Sequence, residues 1–420
     1  MLAGGDGARY TMGGLNPGGR LMSRLMTLDD LDTSSLRAKR VFVRVDFNVP
    51  LEDGRVQDAT RIEAALPTLE ALALARARII LGAHCGRPQG HVEPALSLRP
   101  VASKLWELLG SSVRFVEDCV GPVAEEAVAA LGEGEVCLLE NLRFHPGETA
   151  GDPVFAGRLA ALAEAYVGEA FGVAHRAHAS VVAVAEHFER PVAGRLMALE
   201  VEALGQLLSS PATPFVAVLG GAKIAGKIDT LHNLLPRIDT LLVAGGMANT
   251  FLAARGHDLA ASLVEHERLD TAREILAAAE AAHTEVLLPR DLVVTDDLAR
   301  PTRIETVAAD AVPAGWLAVD IGQWTRRAFA AAAREAATLF WNGPLGVFER
   351  PPFDAGTNAL AECLATAAGF TVIGGGETVA AVRRAGAADA IGHISTGGGA
   401  SLALLAGKVL PGVVVLEAPK

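Results

Sequence analysis

The stretch GGAKIAGKID, residues 220–229, sets Gly221, Gly226 and Lys227 at the G-x-x-x-x-G-K spacing of a loop that cradles nucleotide phosphates. The next position, where such a loop carries a hydroxyl for magnesium, is Ile228. The Gly226–Lys227 spacing therefore reads as coincidence. Lys223, close behind the apolar run FVAVLGG, is the lysine better placed to reach a phosphate, with Lys227 as a second point charge. The same half of the chain carries AGGMAN, WNGPLGVFE, IGGGET and ISTGGGAS. Glycines let backbone N–H groups approach phosphate closely, and a helix that starts just after them adds its positive end. The chemistry implied is a nucleotide site built from several loops. The G-x-G-x-x-G fingerprint is missing from these segments, which argues against hydride transfer.

The first half offers different chemistry. Its polar segments RVDFNVP, GAHCGRP, LLENLRF and FGVAHRAHAS supply Asp46, Asn48, His84, Arg87, Arg143 and Arg176, with Arg61 at the start of a following helix. Arginines directed at one crevice repel one another unless an anion lies among them, and their planar forks match carboxylate and phosphate oxygens. A small-anion site is expected there. His175 and His178 have metal-ligand spacing but no third ligand nearby, so packing and hydrogen bonding are expected of them.

These residues need a frame that brings them together. From Lys39 onward, short apolar runs such as RVFVRVD, ARIILGAH, EVCLLEN, PFVAVLGG, WLAVDIG and TLFWNGP alternate with longer segments of helical period. This predicts an α/β fold with parallel sheets covered by helices on both faces, and the length suits two such sheets. In open sheets of this kind ligands bind beyond the carboxyl ends of the strands, where the segments above fall. GRLMALEVEALGQLLSS, residues 194–210, reads as a connecting helix, stopped by PATPF.

The chain has 420 residues, 37 basic against 49 acidic side chains, and a formal net charge of -12. That balance disfavours nucleic acid and anionic membrane as partners unless basic groups are locally concentrated. No run approaches the roughly 18 apolar residues of a membrane span. Four cysteines without a C-x-x-C pair suggest neither a disulfide framework nor a zinc cage, and a reducing cytoplasm is expected. The glycine-rich opening is expected to be disordered, or to result from a start assigned too early, with Met26 as the true beginning.

Taken together and in order, RVDFNVP, GRP, AFG-AHRAHAS, GGAK, WNGP-GVFE and STGGGASL resemble the phosphoglycerate kinase family. The resemblance runs from about Met26 to the C-terminus. It implies two hinged Rossmann-like domains that transfer a phosphoryl group between 1,3-bisphosphoglycerate and ADP, giving 3-phosphoglycerate and ATP, with no further partner and a monomer expected. By position, Asp46, Asn48, Arg61, His84, Arg87, Arg143 and Arg176 would hold the phosphoglycerate. Lys223, Asn342, Glu349, Gly375, Gly376, Glu377 and Thr378 would hold the nucleotide and its Mg2+, with Glu377 on the metal. The expected domains are residues 26–200 for phosphoglycerate and 201–399 for nucleotide, with 400–420 as a tail returning to the first and 1–25 outside both. In the direction of ATP cleavage the nucleophile is an ionised carboxylate, so no general base is needed. Alignment and charge stabilisation must do the work, with Arg61 and Lys223 as electrostatic clamps on the transferred group.

The chain departs from the family pattern at Glu377, Gly226, Gly168–Glu169 and Asn358, where the family has aspartate, aspartate, Asn-Asp and lysine. The anion side is thus expected to be intact and the metal and nucleotide side to have drifted. Two readings follow: a kinase with retuned metal or nucleotide preference, or a relative that keeps the phosphoglycerate pocket but acts in another pathway or as a binding protein.

Overall fold

A computed structural model describes residues 24–418. The expectations for the glycine-rich opening fall mostly on residues 1–23, outside the described residues. Arg24 and Leu25, expected to lie in that disordered stretch, are placed, and Leu25 forms an antiparallel bridge to Glu417. The chain folds as two compact units, one reaching to Glu202 and resuming at Val409, the other spanning Ala203–Lys408. The return thus begins at Val409, where the sequence suggested about Ala400, because the helix Gly399–Leu405 packs in the second unit, with Thr230 Oγ1 donating to Leu402 O.

Six parallel strands form the sheet of the first unit: β1 (Arg40–Arg44), β2 (Arg78–Gly82), β3 (Val113–Val116), β4 (Val136–Leu139), β5 (Ala165–Gly168) and β6 (Val192–Ala193). Their order is β3-β4-β2-β1-β5-β6. Val41, Phe42 and Val43 are fully buried in succession, as required of a strand covered on both faces. Val41 and Val43 pack with Ile62, Leu69 and Leu72 of the helix Thr60–Leu74, while Phe42 on the opposite face stacks on Tyr166. β2, β4 and β3 lie on one side of β1, and β5 and β6 on the other, so the sheet reverses between β1 and β5.

The second unit repeats the plan with β7 (Phe215–Leu219), β8 (Thr240–Val243), β9 (Glu285–Leu287), β13 (Thr338–Asn342), β14 (Phe370–Gly374) and β15 (His393–Ile394), ordered β9-β8-β7-β13-β14-β15. Its reversal lies between β7 and β13. A smaller antiparallel sheet, β11-β10-β12, is made by β10 (Asp291–Thr295), β11 (Ile304–Ala308) and β12 (Leu317–Ile321). The run WLAVDIG, expected among the parallel strands, belongs to this sheet. β11 escaped the sequence reading because it lies mostly exposed and so lacks the apolar alternation of a half-buried strand.

Two carboxylates are buried as structural acceptors. Glu169, after β5, accepts from the backbone N–H groups of Leu196 (3.3 Å) and Met197 (3.2 Å) and so caps the helix Arg195–Ser209. Asp320, in β12, accepts from Gly356 N and Ile321 N, each at 2.8 Å. Burial pushes both up to about 7, against the hydrogen bonds they accept. Between the unfolded carboxylate range and pH 7 the folded chain retains these protons and the unfolded chain has lost them, so their contribution to stability falls as pH rises through that window. Glu169→Gln with Asp320→Asn should flatten the fall, which is on the order of a few kcal/mol. Urea unfolding at pH 5 and pH 8 checks this; an undiminished pH slope in the double variant would contradict it.

Candidate active site

The carboxyl ends of β1, β2, β4 and β5 deliver the sequence-identified residues of the first unit to the reversal of its sheet. Arg61, on the first turn of its helix, reaches back with Nη1 to Asp46 Oδ2 (3.1 Å) and donates to Asn48 O (3.1 Å). Asn48 Oδ1 accepts from Gly86 N (2.9 Å), and Gly86 O accepts from Arg143 Nη1 (2.7 Å). Arg87, next in chain, is exposed at the end of this pinned loop. Asn141, which the sequence reading missed, sets the loop: its Oδ1 accepts from Cys85 N (3.3 Å) and Arg143 N (3.1 Å), and its Nδ2 donates to Cys85 O (2.8 Å).

Beneath lies another missed residue. Arg44, the last residue of β1, is 1% exposed. Its Nε donates to Ser180 Oγ (2.7 Å), its Nη1 to Val45 O, and its Nη2 to His84 Nδ1 (3.2 Å). A guanidinium has no acceptor, so His84 Nδ1 accepts and the neutral ring carries its proton on Nε2. Glu148 lies 3.8 Å from Arg44 Nη2 and accepts from Ser180 N (2.9 Å) and Ser180 Oγ (2.7 Å).

The charges do not balance. Arg44, Arg61, Arg143 and Arg176 act on one group of side chains, against the carboxylates of Asp46 and Glu148. Burial, then Arg44 and Arg176, lowers the Arg143 guanidinium to about 10. Burial, then Arg143, Arg44 and Arg176, lowers His178 to about 4, and burial with Arg44 and Arg143 takes His84 well below the usual histidine range. The histidines are therefore neutral donors or acceptors at neutral pH, and two arginines remain without a carboxylate. Arg143 Nε and Nη2, Asp46 Oδ1, His175 Nδ1 and His178 Nδ1 are buried without a hydrogen-bond partner. Such orphaned groups are costly: an anion with several oxygens would satisfy the Arg143 donors, and a hydroxyl beside it the Asp46 acceptor.

In the second unit, the loops after β7, β8, β13 and β14 converge on a cavity of about 230 Å³. Its walls include Gly221, Gly246, Leu263, Pro344 and Val347, with the carboxylates of Glu349 and Glu377 at its lining. The loops approach too closely for side chains: a Cβ on Gly343, whose φ is +96°, would lie 2.4 Å from Gly220 O. Lys227, not Lys223, is the lysine turned inward. Its Nζ donates to Gly220 O and to Asn342 O (3.3 Å), and burial lowers it to about 8 although Glu377 pulls it up. Lys223 is exposed on the same loop. Asn342 is buried, with its Nδ2 3.1 Å from where a Cβ of Gly375 would stand. Thr378 Oγ1 accepts from Gly343 N (2.6 Å), fastening the helix Gly376–Arg384 to the loop after β13. Glu377 stands exposed, beside Gly376, in the first turn of that helix.

Two of the departures expected on the nucleotide side lie elsewhere. Gly168 and Glu169 lie in the first unit. A Cβ on Gly168 would come within 2.8 Å of Leu416, and Glu169 caps the helix Arg195–Ser209, so this pair accommodates the returning chain and the helix start.

A sequence model described as phosphoglycerate kinase matches residues 28–408. The phosphoglycerate kinase of Moorella thermoacetica is 54% identical over 391 residues, covering 93% of this chain and 98% of its own. That of Desulforudis audaxviator is 54% identical over 392 residues, again 93% and 98%. Among solved structures, phosphoglycerate kinase from Coxiella burnetii superposes with a TM-score of 0.84 at 38% identity, covering 94% of this chain and 99% of its own. That from Pyrococcus horikoshii gives 0.83 at 32% identity, over 93% and 98%. Relatives this similar over nearly the whole length, sharing the two sheets whose strand ends carry the arginines and the glycine loops, place this chain in the phosphoglycerate kinase family.

Proposed function

We propose that this chain transfers a phosphoryl group reversibly between 1,3-bisphosphoglycerate and ADP, with the carboxylate of 3-phosphoglycerate as acceptor, in the cytoplasm. The observation that carries the substrate assignment is the pair of uncompensated arginines with orphaned buried donors in the first unit. 3-Phosphoglycerate brings one carboxylate charge and a phosphate of about −1.5 to −2, which suits that excess. In this reading Arg143 and Arg176 bind the anion, with Asp46, Asn48, His84 and Arg87 around it. His84 donates from Nε2, and Asp46 Oδ1 accepts a substrate hydroxyl.

The second unit takes the nucleotide. Its apolar walls suit a base, Glu349 a ribose, and the glycine loops with Lys223, Lys227 and Asn342 the phosphates. The turn Gly375, Gly376, Glu377 and Thr378 adds a helix N-terminus. Magnesium fits the donor set, because it takes hard oxygen ligands and is commonly held by one or two carboxylates together with substrate phosphates. Glu377 would hold it, and the ion would supply charge neutralisation along the phosphate chain. Arg61, tied down through Nη1, and Lys223, free of the loop wall, act as the clamps on the transferred group. The substrate carboxylate needs no deprotonation, so positioning and charge stabilisation carry the rate.

A coupled assay with 3-phosphoglycerate and Mg-ATP should show turnover, whereas calorimetric binding of 3-phosphoglycerate without turnover would instead support a binding protein. In the same assay Arg143→Met should raise KM for 3-phosphoglycerate about 10- to 100-fold, the range of a lost charge-assisted hydrogen bond. Its Tm should be no lower than the parent's, because a buried, unneutralised charge has been removed. A lowered Tm with unchanged KM would reverse the assignment of Arg143 from binding to structure. Glu377→Asp, which shortens the reach of the carboxylate by about one bond, should raise the rate or tighten the magnesium dependence, since misplacement of about 1 Å can cost about a hundredfold. An unchanged rate and magnesium profile would count against Glu377 as the metal ligand.

A further inference from the structure

We propose that Asp118, Cys119 and His145 form a binding site for a borderline-soft divalent metal ion of the zinc type, made of residues the phosphoryl transfer does not use. One ligand atom from each lies within 4.8 Å of the others. Asp118 and Cys119 follow β3, ahead of the helix Pro122–Ala129; His145 follows the turn Leu142–Phe144 after β4. Because β3 and β4 pair directly, the three side chains stand on neighbouring strand ends. His145 Nε2 is 2.7 Å from Asp118 Oδ1, Cys119 N donates to that same oxygen at 2.6 Å, and the His145 ring stacks on Phe155 with centroids 5.3 Å apart.

The donor set is thiolate, imidazole and carboxylate, which suits zinc and is a poor match for magnesium or calcium. With metal–ligand bonds of about 2.0–2.3 Å the ligand atoms stand about 3.5 Å apart, so the thiol must approach by at most about 1 Å and the Asp118–His145 pair, now 2.7 Å apart, must open by a similar amount. Cys119 is buried, while the Asp118 and His145 side chains are 43% and 33% exposed, so a fourth position opens to solvent. Burial is the main influence on the thiol, followed by the carboxylates of Asp118, Glu148 and Glu140, which attract a cation. Chain adjacency places Cys119 beside Asp118, but not beside His145, which comes from the neighbouring strand end. On binding, the S–H bond breaks, a sulfur–metal bond forms, and the proton passes to the buffer.

The test is a titration of EDTA-stripped, full-length protein with Co2+, followed by absorption. One equivalent should produce a thiolate-to-cobalt charge-transfer band with the strong d–d bands of a four-coordinate site. Zinc should displace it, Cys119→Ser should abolish the charge-transfer band, and His145→Ala should weaken affinity at least tenfold. Cobalt at an oxygen-lined nucleotide site gives no thiolate band, so the two sites are distinguished. Absence of the band in the parent protein, or its survival in Cys119→Ser, would overturn the proposal. If Cys119→Ser does not fold, unchanged cobalt affinity in His145→Ala, altered at a partly exposed side chain, overturns it equally.

Discussion

Electrostatic repulsion among Arg44, Arg61, Arg143 and Arg176 is the constraint on which the first unit depends. Asp46 and Glu148 neutralise part of it, and three histidines that could add to it are held neutral. What remains is a standing demand for an anion. A protein optimised only for stability would pair or remove these charges; leaving buried donors of Arg143 unmatched makes sense where a ligand completes them. Arg44 shows how the demand is kept in place. Locked by Ser180, Val45 O and His84, it fixes the tautomer of His84 and presses on Arg143 from beneath.

The second unit meets a related problem by the opposite means. Where the first unit presents side-chain charge, the second presents backbone, and Gly220 and Gly343 approach so closely that no side chain fits between the loops. Lys227 ties that arrangement together from within, through Gly220 O and Asn342 O. Lys223 stays exposed on the same loop. Thr378 acts on the same loop from the other side, through Gly343 N. Both units exploit the same topological fact, that a doubly wound sheet opens a crevice where its strand order reverses.

Much of this was legible in the sequence. The alternation of apolar runs and helical segments gives the α/β class, and the polar tips of those runs fall at the strand ends that line the two candidate sites. Residues whose roles depend on non-local partners were not legible. Arg44 sits within RVFVRVD and looks like an ordinary strand-end charge until both faces of β1 are known to be covered. Asn141 and Glu148 act through hydrogen bonds to segments tens of residues away. Lys227 matched a phosphate-loop spacing, yet its burial depends on β13, over a hundred residues later. Glu169 appeared to be a nucleotide-side change because its partners, Leu196 and Met197, lie on a helix that the sequence reading treated only as a connector.

The central claim, that the anionic substrate and the nucleotide are held by two separate sets of strand ends, is tested most directly by amide hydrogen exchange with each ligand alone. 3-Phosphoglycerate should slow exchange in segments 45–49, 84–90, 141–146 and 175–181 and leave segments 220–227, 343–349 and 375–379 unchanged, while ADP should do the converse. Protection by 3-phosphoglycerate confined to the glycine loops, or none in the arginine-bearing segments at saturating ligand, would contradict the account.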